Sequence, residues 1–372
     1  MTAEQSDLAA FSGKSVLVTG HTGFKGSWLA LWLHRLGASV TGYALDPPGK
    51  PNHFEAAGVA GLLADDVRGD IRDAEMMADV VRRSEPDVIF HLAAQPIVRA
   101  SLVEPRYTFD VNVVGTASVL DGVRSAGQPC TVVVISSDKC YRNDGQVWGF
   151  RESDPLGGHD PYSASKAGTE LVVDSYRSSF FPIDRLADHG VRLASARAGN
   201  VIGGGDWADD RIVPDAMRAL AAGADLIVRK PGSTRPWQHV LEPLSGYLAL
   251  AERLLSNDTP ARWADAWNFG PQPVDEATVA DLATAIVTAW GSGRWTSLAG
   301  SSSEIEATTL RIAIDKAISL LDWKPRWHLS ETVERTVHWY REYYRHPDGS
   351  MQEHSVADIE AYCAPAPSTH AG

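Results

Sequence analysis

Tyr162 and Lys166, four apart in Tyr-Ser-Ala-Ser-Lys, put a phenol and an ammonium on one face of a helix. A phenol with an ordinary pKa of about 10 is a poor base at neutral pH, but a neighbouring cation favours its phenolate. The pair therefore has the composition of a proton acceptor for a hydroxyl group. Ser137, Asp138 and Lys139 stand together directly after an apolar run and supply a hydroxyl, an acid and a second ionisable group. Oxidising an alcohol needs only the hydroxyl beside the Tyr–Lys pair, whereas an adjacent acid and a further ionisable group fit an elimination. Nearer the N-terminus, Gly20, Gly23 and Gly26 punctuate Val18-Thr-Gly-His-Thr-Gly-Phe-Lys-Gly26, with Phe24 and Lys25 inside the motif. Glycines at this spacing allow a tight turn and a close backbone approach, and a helix opening there presents N–H groups to a dinucleotide pyrophosphate. The glycine spacing alone also suits an ordinary strand-to-helix turn, and the Tyr–Lys spacing a solvated helix face. Order and context point to a cofactor site paired with a catalytic one.

Bringing these groups together requires alternating elements. Strand-like runs Ser15–Thr19, Ser39–Ala44, Val88–His91, Thr131–Ser136 and Arg192–Arg197 are separated by helix-like stretches at Gly26–Leu36, Asp73–Ser84, Pro105–Ala126 and Tyr162–Phe180. Such βαβ alternation predicts an α/β fold with a doubly wound parallel sheet of the Rossmann kind. Val88-Ile-Phe90 and Thr131-Val-Val-Val-Ile135 are continuously apolar, as central strands covered on both faces must be. After Ala198 the pattern changes to the loop-rich segments Gly203–Asp206, Pro231-Gly232 and Arg235–Trp237, a setting in which ligand contacts commonly lie. Residues 1–197 are thus read as a Rossmann domain with returning segments from the second half. Residues 198–363 are read mainly as a smaller, mixed substrate domain with a helix at Glu331–Tyr344, and 364–372 as a frayed tail.

Asp46 stands twenty residues after Gly26, where a carboxylate accepts hydrogen bonds from an adenosine ribose and repels a 2′-phosphate, so NAD is favoured over NADP. A turn-opening role before Pro47-Pro48 stays open for it. The net charge of −13 repels polyanions and argues against nucleic acid. The three cysteines, Cys130, Cys140 and Cys363, form no C-x-x-C pair, which argues against zinc and a disulfide framework, and no metal is expected. His91 and His239 read as strand-end or core histidines. The polar, acidic N-terminus and the absence of long apolar runs predict a cytoplasmic protein with no membrane partner.

The glycine motif, His91-Leu-Ala-Ala-Gln95, Asn112-Val-Val-Gly-Thr116 and the Tyr–Lys segment together resemble the extended short-chain dehydrogenase/reductases that modify nucleotide-linked sugars. Ser136-Ser-Asp-Lys-Cys-Tyr141, the run from Arg197 to Trp207 and the run from Arg235 to Pro243 narrow the resemblance to the CDP-glucose 4,6-dehydratase family, in matching order from about Phe11 to Tyr344. The resemblance implies NAD as cofactor, a nucleotide-sugar substrate with CDP-glucose favoured, and a homodimer packed through Pro105–Ala126 and Tyr162–Phe180, with Val111, Val114, Leu171 and Val172 as apolar surface. It implies that Asp70 and Ile71 meet the adenine, that Leu92, Ala93 and Ala94 leave room for the cofactor, and that Lys166 also holds the nicotinamide ribose. On the same basis Tyr162 is the base at the sugar 4-hydroxyl, Asp138 the acid for the departing 6-hydroxyl, and Lys139 the group near the C5 proton. Asn200 and Arg235, helped by Arg211, would bind the diphosphate, and Gln95 a sugar hydroxyl. Related dTDP-glucose dehydratases carry Glu at the Lys139 position, and Ser303-Glu-Ile-Glu-Ala307 departs from the family pattern. The alternatives are a dehydratase or 4-epimerase acting on another nucleotide sugar and, from a different class, a non-catalytic NAD-binding regulator.

Overall fold

The computed structural model describes residues 9–256, 259–297 and 310–365. Six strands, β1 (Ser15–Thr19), β2 (Ser39–Ala44), β3 (Asp65–Arg68), β4 (Val88–His91), β5 (Cys130–Ile135) and β6 (Val191–Arg197), form the body of a parallel sheet. Around them run α1 (Phe24–Arg35), α2 (His53–Ala56), α3 (Ala74–Ser84), α4 (Val98–Val103), α5 (Pro105–Phe109), α6 (Gly115–Ala126), α7 (Pro161–Ser179) and α8 (Leu186–His189). The second half adds three small strand pairs: β7 (Val201–Ile202) with β10 (Gln238–His239), β8 (Leu226–Val228) with β13 (Trp295–Ser297), and β9 (Thr234–Arg235) with β12 (Ala277–Thr278). Its helices are α9 (Ile212–Ala221), α10 (Leu241–Leu255), α11 (Val279–Trp290), α12 (Asp315–Leu321), α13 (Leu329–Arg345) and α14 (Gln352–Cys363).

The remaining strand, β11 (Ala266–Asn268), pairs in parallel with β6 and completes a seven-stranded sheet of order β11-β6-β5-β4-β1-β2-β3. Strand direction alternates the side chains. Val16 and Val18 join the core cluster that holds α1, α10 and α13, while Leu17 joins the one beneath α3, α6 and α7. Every residue of β5 is buried, as a central strand with both faces covered requires. Chain progression reverses between β1 and β4, the switch point at whose carboxyl edge α/β sheets bind ligands.

Several elements differ from the sequence-based expectation. β3 ends at Arg68, two residues before Asp70. The expected helix Pro105–Ala126 is α5, a π turn over Asp110–Val114, and α6. α2, α4, α8, α9, α10, α11, α12 and α14 were not among the expected helices. Of the four apolar residues assigned to a dimer face, Val111 is 5 % exposed and belongs to the core, because the π turn rotates it inward, and Val172 packs partly on that core. Val114 and Leu171 are exposed, at 52 % and 60 %. The Ser303–Ala307 stretch and all but the first two residues of the expected tail lie outside the described residues.

Candidate active site

β1 runs into a turn at Gly20, whose φ of +75° is unfavourable for a side chain. A Cβ on Gly20 would lie 2.7 Å from the Ala93 nitrogen, and one on Gly26 would lie 2.1 Å from the Gly20 carbonyl oxygen, so backbone alone fits there. Gly23 begins α1 without a side-chain cap, which leaves the first-turn amides for an anion. These features fit a dinucleotide pyrophosphate.

At the outer end of this cradle the Asp46 side chain is exposed, with Oδ1 3.7 Å from Nε of Arg68. The Asp70 carboxylate is gripped by Arg72, which lies 2.6 Å away through Nη2 and holds the carboxyl below its ordinary value. Ile71 is buried against Gly115. The Ala93 amide donates to Thr19 Oγ1 at 3.2 Å. Gln95, expected at a sugar hydroxyl, has its side chain engaged within its own loop. Its Nε2 donates to Thr108 Oγ1 at 2.8 Å and its Oε1 accepts from the Ile97 amide at 2.6 Å, so the side chain braces its own loop.

Beyond the carboxyl edge of the sheet opens a cavity of about 570 Å³, reached by Phe24, Lys25, Leu92 and Ala94 from the cofactor side. The loop after β5 brings Ser137, Asp138 and Lys139 to its wall, and α7 brings Tyr162 and Lys166 from one helical turn apart. Pro161 at the first helical position and the Asp160 cap, whose side chain accepts from the Ser163 amide, fix where that helix starts. Asn200, Arg211 and Arg235 come from the second half of the chain to the same cavity.

The electrostatics separate the groups by role. Asp138 is 1 % exposed; its Oδ1 accepts from Ser137 Oγ at 3.0 Å and its Oδ2 from Asn200 Nδ2 at 3.3 Å. Burial pushes its pKa up, against the charge of Lys139 and the Ser137 hydrogen bond, which suits a group that must carry a proton. Any side chain at Gly199 would collide with this carboxylate, at 1.8 Å from Oδ2. Asn200 adopts a left-handed φ of +49° beside it. Burial also pushes Tyr162 up to about 12, opposed by its hydrogen bond with Ser137. It pulls Lys166 down to about 8, opposed by Glu170, and Lys25 down to about 7 with help from the charges of Lys166 and Arg211. Arg211 is held by the buried Asp206 at 2.8 Å, and Arg235 is buried with Nη1 2.9 Å from the Thr234 carbonyl.

His91 and His239 are core residues, each buried and pulled down to about 3. His91 sits between Thr19 and Thr116 hydroxyls, and His239 packs on Trp28 and Trp327. Among the described residues no three His, Cys, Asp or Glu side chains gather as a metal site would need, and no helix is long and apolar enough to cross a membrane.

Sequence reasoning assigned no role to the groups that hold the site in place. Asn112, inside the π turn, bonds the Gln95 backbone through both ends of its amide and donates to Ser165 on α7. Asp206 aims Arg211, and Glu170 lies one turn after Lys166. A polar residue inside an otherwise apolar helical run was the available signal for Asn112.

Residues 17–259 match the family model described as GDP-mannose 4,6 dehydratase. A CDP-glucose 4,6-dehydratase of Salmonella typhimurium is 48 % identical over 342 residues, 92 % of this chain and 94 % of that protein. Among solved structures, DesIV of Streptomyces venezuelae, a dTDP-glucose 4,6-dehydratase with NAD and TYD bound, superposes with a TM-score of 0.72 at 26 % identity, covering 88 % of this chain and 97 % of the other. The epimerase Mth375 of Methanothermobacter thermautotrophicus gives 0.76 at 26 % identity over 91 % and 95 %.

Proposed function

The chain belongs to the GDP-mannose 4,6 dehydratase family, and from that premise we propose that it is an NAD-dependent lyase converting CDP-glucose to CDP-4-keto-6-deoxyglucose. The observation that carries the reaction type is Asp138, a buried carboxyl lining the same cavity as the Tyr162–Lys166 pair. Epimerisation at C4 needs no acid to expel a hydroxyl; dehydration does.

Gly20, Gly26 and the first turn of α1 receive the pyrophosphate, Asp46 and the Asp70-Ile71 segment the adenosine end, and Lys166 the nicotinamide ribose. Bound there, NAD supplies a hydride acceptor for C4 and a donor for C6. Tyr162 takes the 4-hydroxyl proton as C4 becomes a ketone, with Lys166 stabilising the phenolate. The ketone acidifies the C5 proton, which passes to Lys139, while Asp138 gives its proton to the departing 6-hydroxyl. With the C5 proton given back by Lys139 and the hydride returned to C6, the net change in the sugar is the loss of one water, and the proton left on Tyr162 balances the one Asp138 gave up. Arg235 and the Asp206-held Arg211 neutralise the diphosphate, with Asn200 beside them. On this reading residues 198–363 supply mainly the nucleotide-sugar side of the cavity, the cofactor stays bound through turnover, and the enzyme works in the cytoplasm.

Incubation with CDP-, dTDP-, UDP- and GDP-sugars, followed by mass spectrometry, should show loss of water from CDP-glucose. Water loss only from dTDP-glucose or GDP-mannose would replace the substrate. A change of sugar without change of mass would mark an epimerase, and NAD binding without turnover of any sugar a regulator.

The protein is further proposed to be a homodimer through the face that exposes Val114 and Leu171, with Phe109 and Phe180 at its margins, 39 % and 41 % exposed. Light scattering should give twice the 40.2 kDa chain mass at micromolar concentration. A monomer mass would remove this assignment.

A further inference from the structure

Beneath the loop that carries Ser137, Asp138 and Lys139 lies a buried polar network outside the cavity wall. Glu170 on α7 is 3 % exposed, one helical turn beyond Lys166. Its Oε1 accepts from Ser136 Oγ, the residue immediately before Ser137. Its Oε2 accepts from Ser195 Oγ at 2.7 Å and from Nη2 of Arg197 at 2.8 Å, both on β6. Nη1 of Arg197 continues to the Tyr141 hydroxyl at 2.7 Å, and that hydroxyl donates to Asn268 Oδ1 on β11 at 2.7 Å. Both ends of the catalytic loop, Ser136 and Tyr141, are therefore tied to one carboxylate–guanidinium pair, and that pair is tied to the helix carrying Tyr162 and Lys166.

We propose that Glu170 is a positioning residue for the reaction read above: its carboxylate fastens the Ser136–Tyr141 loop to the catalytic helix and sets a negative charge one turn from Lys166. A buried carboxylate with one charged partner and two hydroxyl donors is an expensive arrangement for simple packing, since an apolar set of similar volume would hold the strands as well. It has a consequence that packing alone lacks. Although burial opposes it, Arg197 keeps Glu170 ionised, with its carboxyl below the ordinary value. The groups facing Lys166 are Lys25 from α1, His91 from β4, Cys140 from the loop after β5 and Glu170 on its own helix, where Tyr162 also stands one turn earlier, and its Nζ lies 3.5 Å from the Ile135 carbonyl oxygen. Among them Glu170 favours the ammonium most, ahead of Cys140.

In the reaction read above, Tyr162 and Lys166, one turn apart on α7, act together. The form that accepts the 4-hydroxyl proton has the phenol ionised and the lysine protonated, and it competes with the form in which the lysine has lost the proton instead. Weakening the ammonium moves the proton loss of the pair to lower pH and diverts the population into the inactive form, so the plateau rate falls.

The test uses the full-length protein with 13C at lysine Cε, Lys166 being assigned through Lys166→Arg, and follows its titration by NMR. In Glu170→Gln the Lys166 midpoint should fall by about one pH unit, and kcat for water loss about tenfold with KM within about twofold. Ser136→Ala cuts the tie to the loop and keeps the charge; its Lys166 midpoint should stay in place while kcat falls. Because Glu170→Gln leaves Arg197 buried without its counter-charge, Glu170→Gln/Arg197→Gln replaces it should the single variant fail to fold, with a shift in the same direction. An unmoved Lys166 midpoint in the Gln variant overturns the proposal. The titration needs no substrate, so a native protein that released no water from CDP-glucose would defeat the proposed function while Glu170 was still judged by its effect on Lys166.

Discussion

Replacing Asp138 by Asn preserves the shape of the acid and removes its proton. With Tyr162 intact the sugar should still be oxidised at C4, and the elimination should slow by roughly 10²–10⁴-fold, the range for loss of one general acid. Reduced cofactor should then build up after a single addition of CDP-glucose, seen by its absorbance. Tyr162→Phe should instead abolish both the absorbance and the water loss, because no later step begins. Asp138→Asn with no such absorbance, sugar and cofactor binding being intact, would place Asp138 earlier in the sequence of steps. At this scale the sequence was legible where chemistry is written into residue type and local spacing: Tyr162, Lys166, Ser137, Asp138 and Lys139 all line one cavity. It was illegible where a side chain's partner is chosen by the fold. That Gln95 gives its amide to Thr108, brought alongside by α5, was one such choice. Arg211 was read as a helper at the diphosphate, but that Asp206 holds it was not visible.

An added methyl group tests the elements. Gly26→Ala would place a Cβ 2.1 Å from the Gly20 carbonyl oxygen, a contact relieved only by moving α1 off the turn. The variant should fold with modestly lower stability and lose most of its affinity for NAD, measured by calorimetry. Gly23→Ala, whose nearest contact is 3.3 Å, should lose less. Equal affinity in Gly26→Ala and the native protein would show that the close approach of helix to turn is not what binds the pyrophosphate. The βαβ run was readable because apolar strands and glycine turns recur at regular spacing. α14 escaped because its inward face is partly polar: Ser355 bonds His53 and Trp339, and Asp358 meets Arg335 at 3.2 Å, so apolar periodicity is weak. α4 is six residues long, too short to show a period.

Across the whole molecule the buried lysines govern how stability responds to alkali. Burial first, and neighbouring cations in the case of Lys25, bring Lys25 to about 7 and Lys166 to about 8 in the fold, against 10.5 for an unhindered lysine. Between these values the unfolded chain binds more protons than the folded one, so unfolding free energy rises with pH. From pH 7.5 to 9 the protein without cofactor should gain about 3 kcal/mol, read from its urea midpoint. Lys25→Met should remove more than half of that gain. A midpoint that stays level over this window would show that both amines keep their protons in the fold. The sequence shows a change of pattern after Ala198; it does not show how far the later chain returns, with α10 packed on β5, α14 on α1 and β11 on β6. That last pairing bears on how the protein is made. About seventy residues separate the end of β6 from the end of β11, so at roughly 5–20 residues per second a ribosome leaves one flank of β6 without its neighbour for several seconds. Throughout that interval the nascent sheet offers a row of unsatisfied amides and carbonyls to any other extended chain nearby. Rapid translation of residues 198–268, or a chaperone holding that flank, would shorten that exposure.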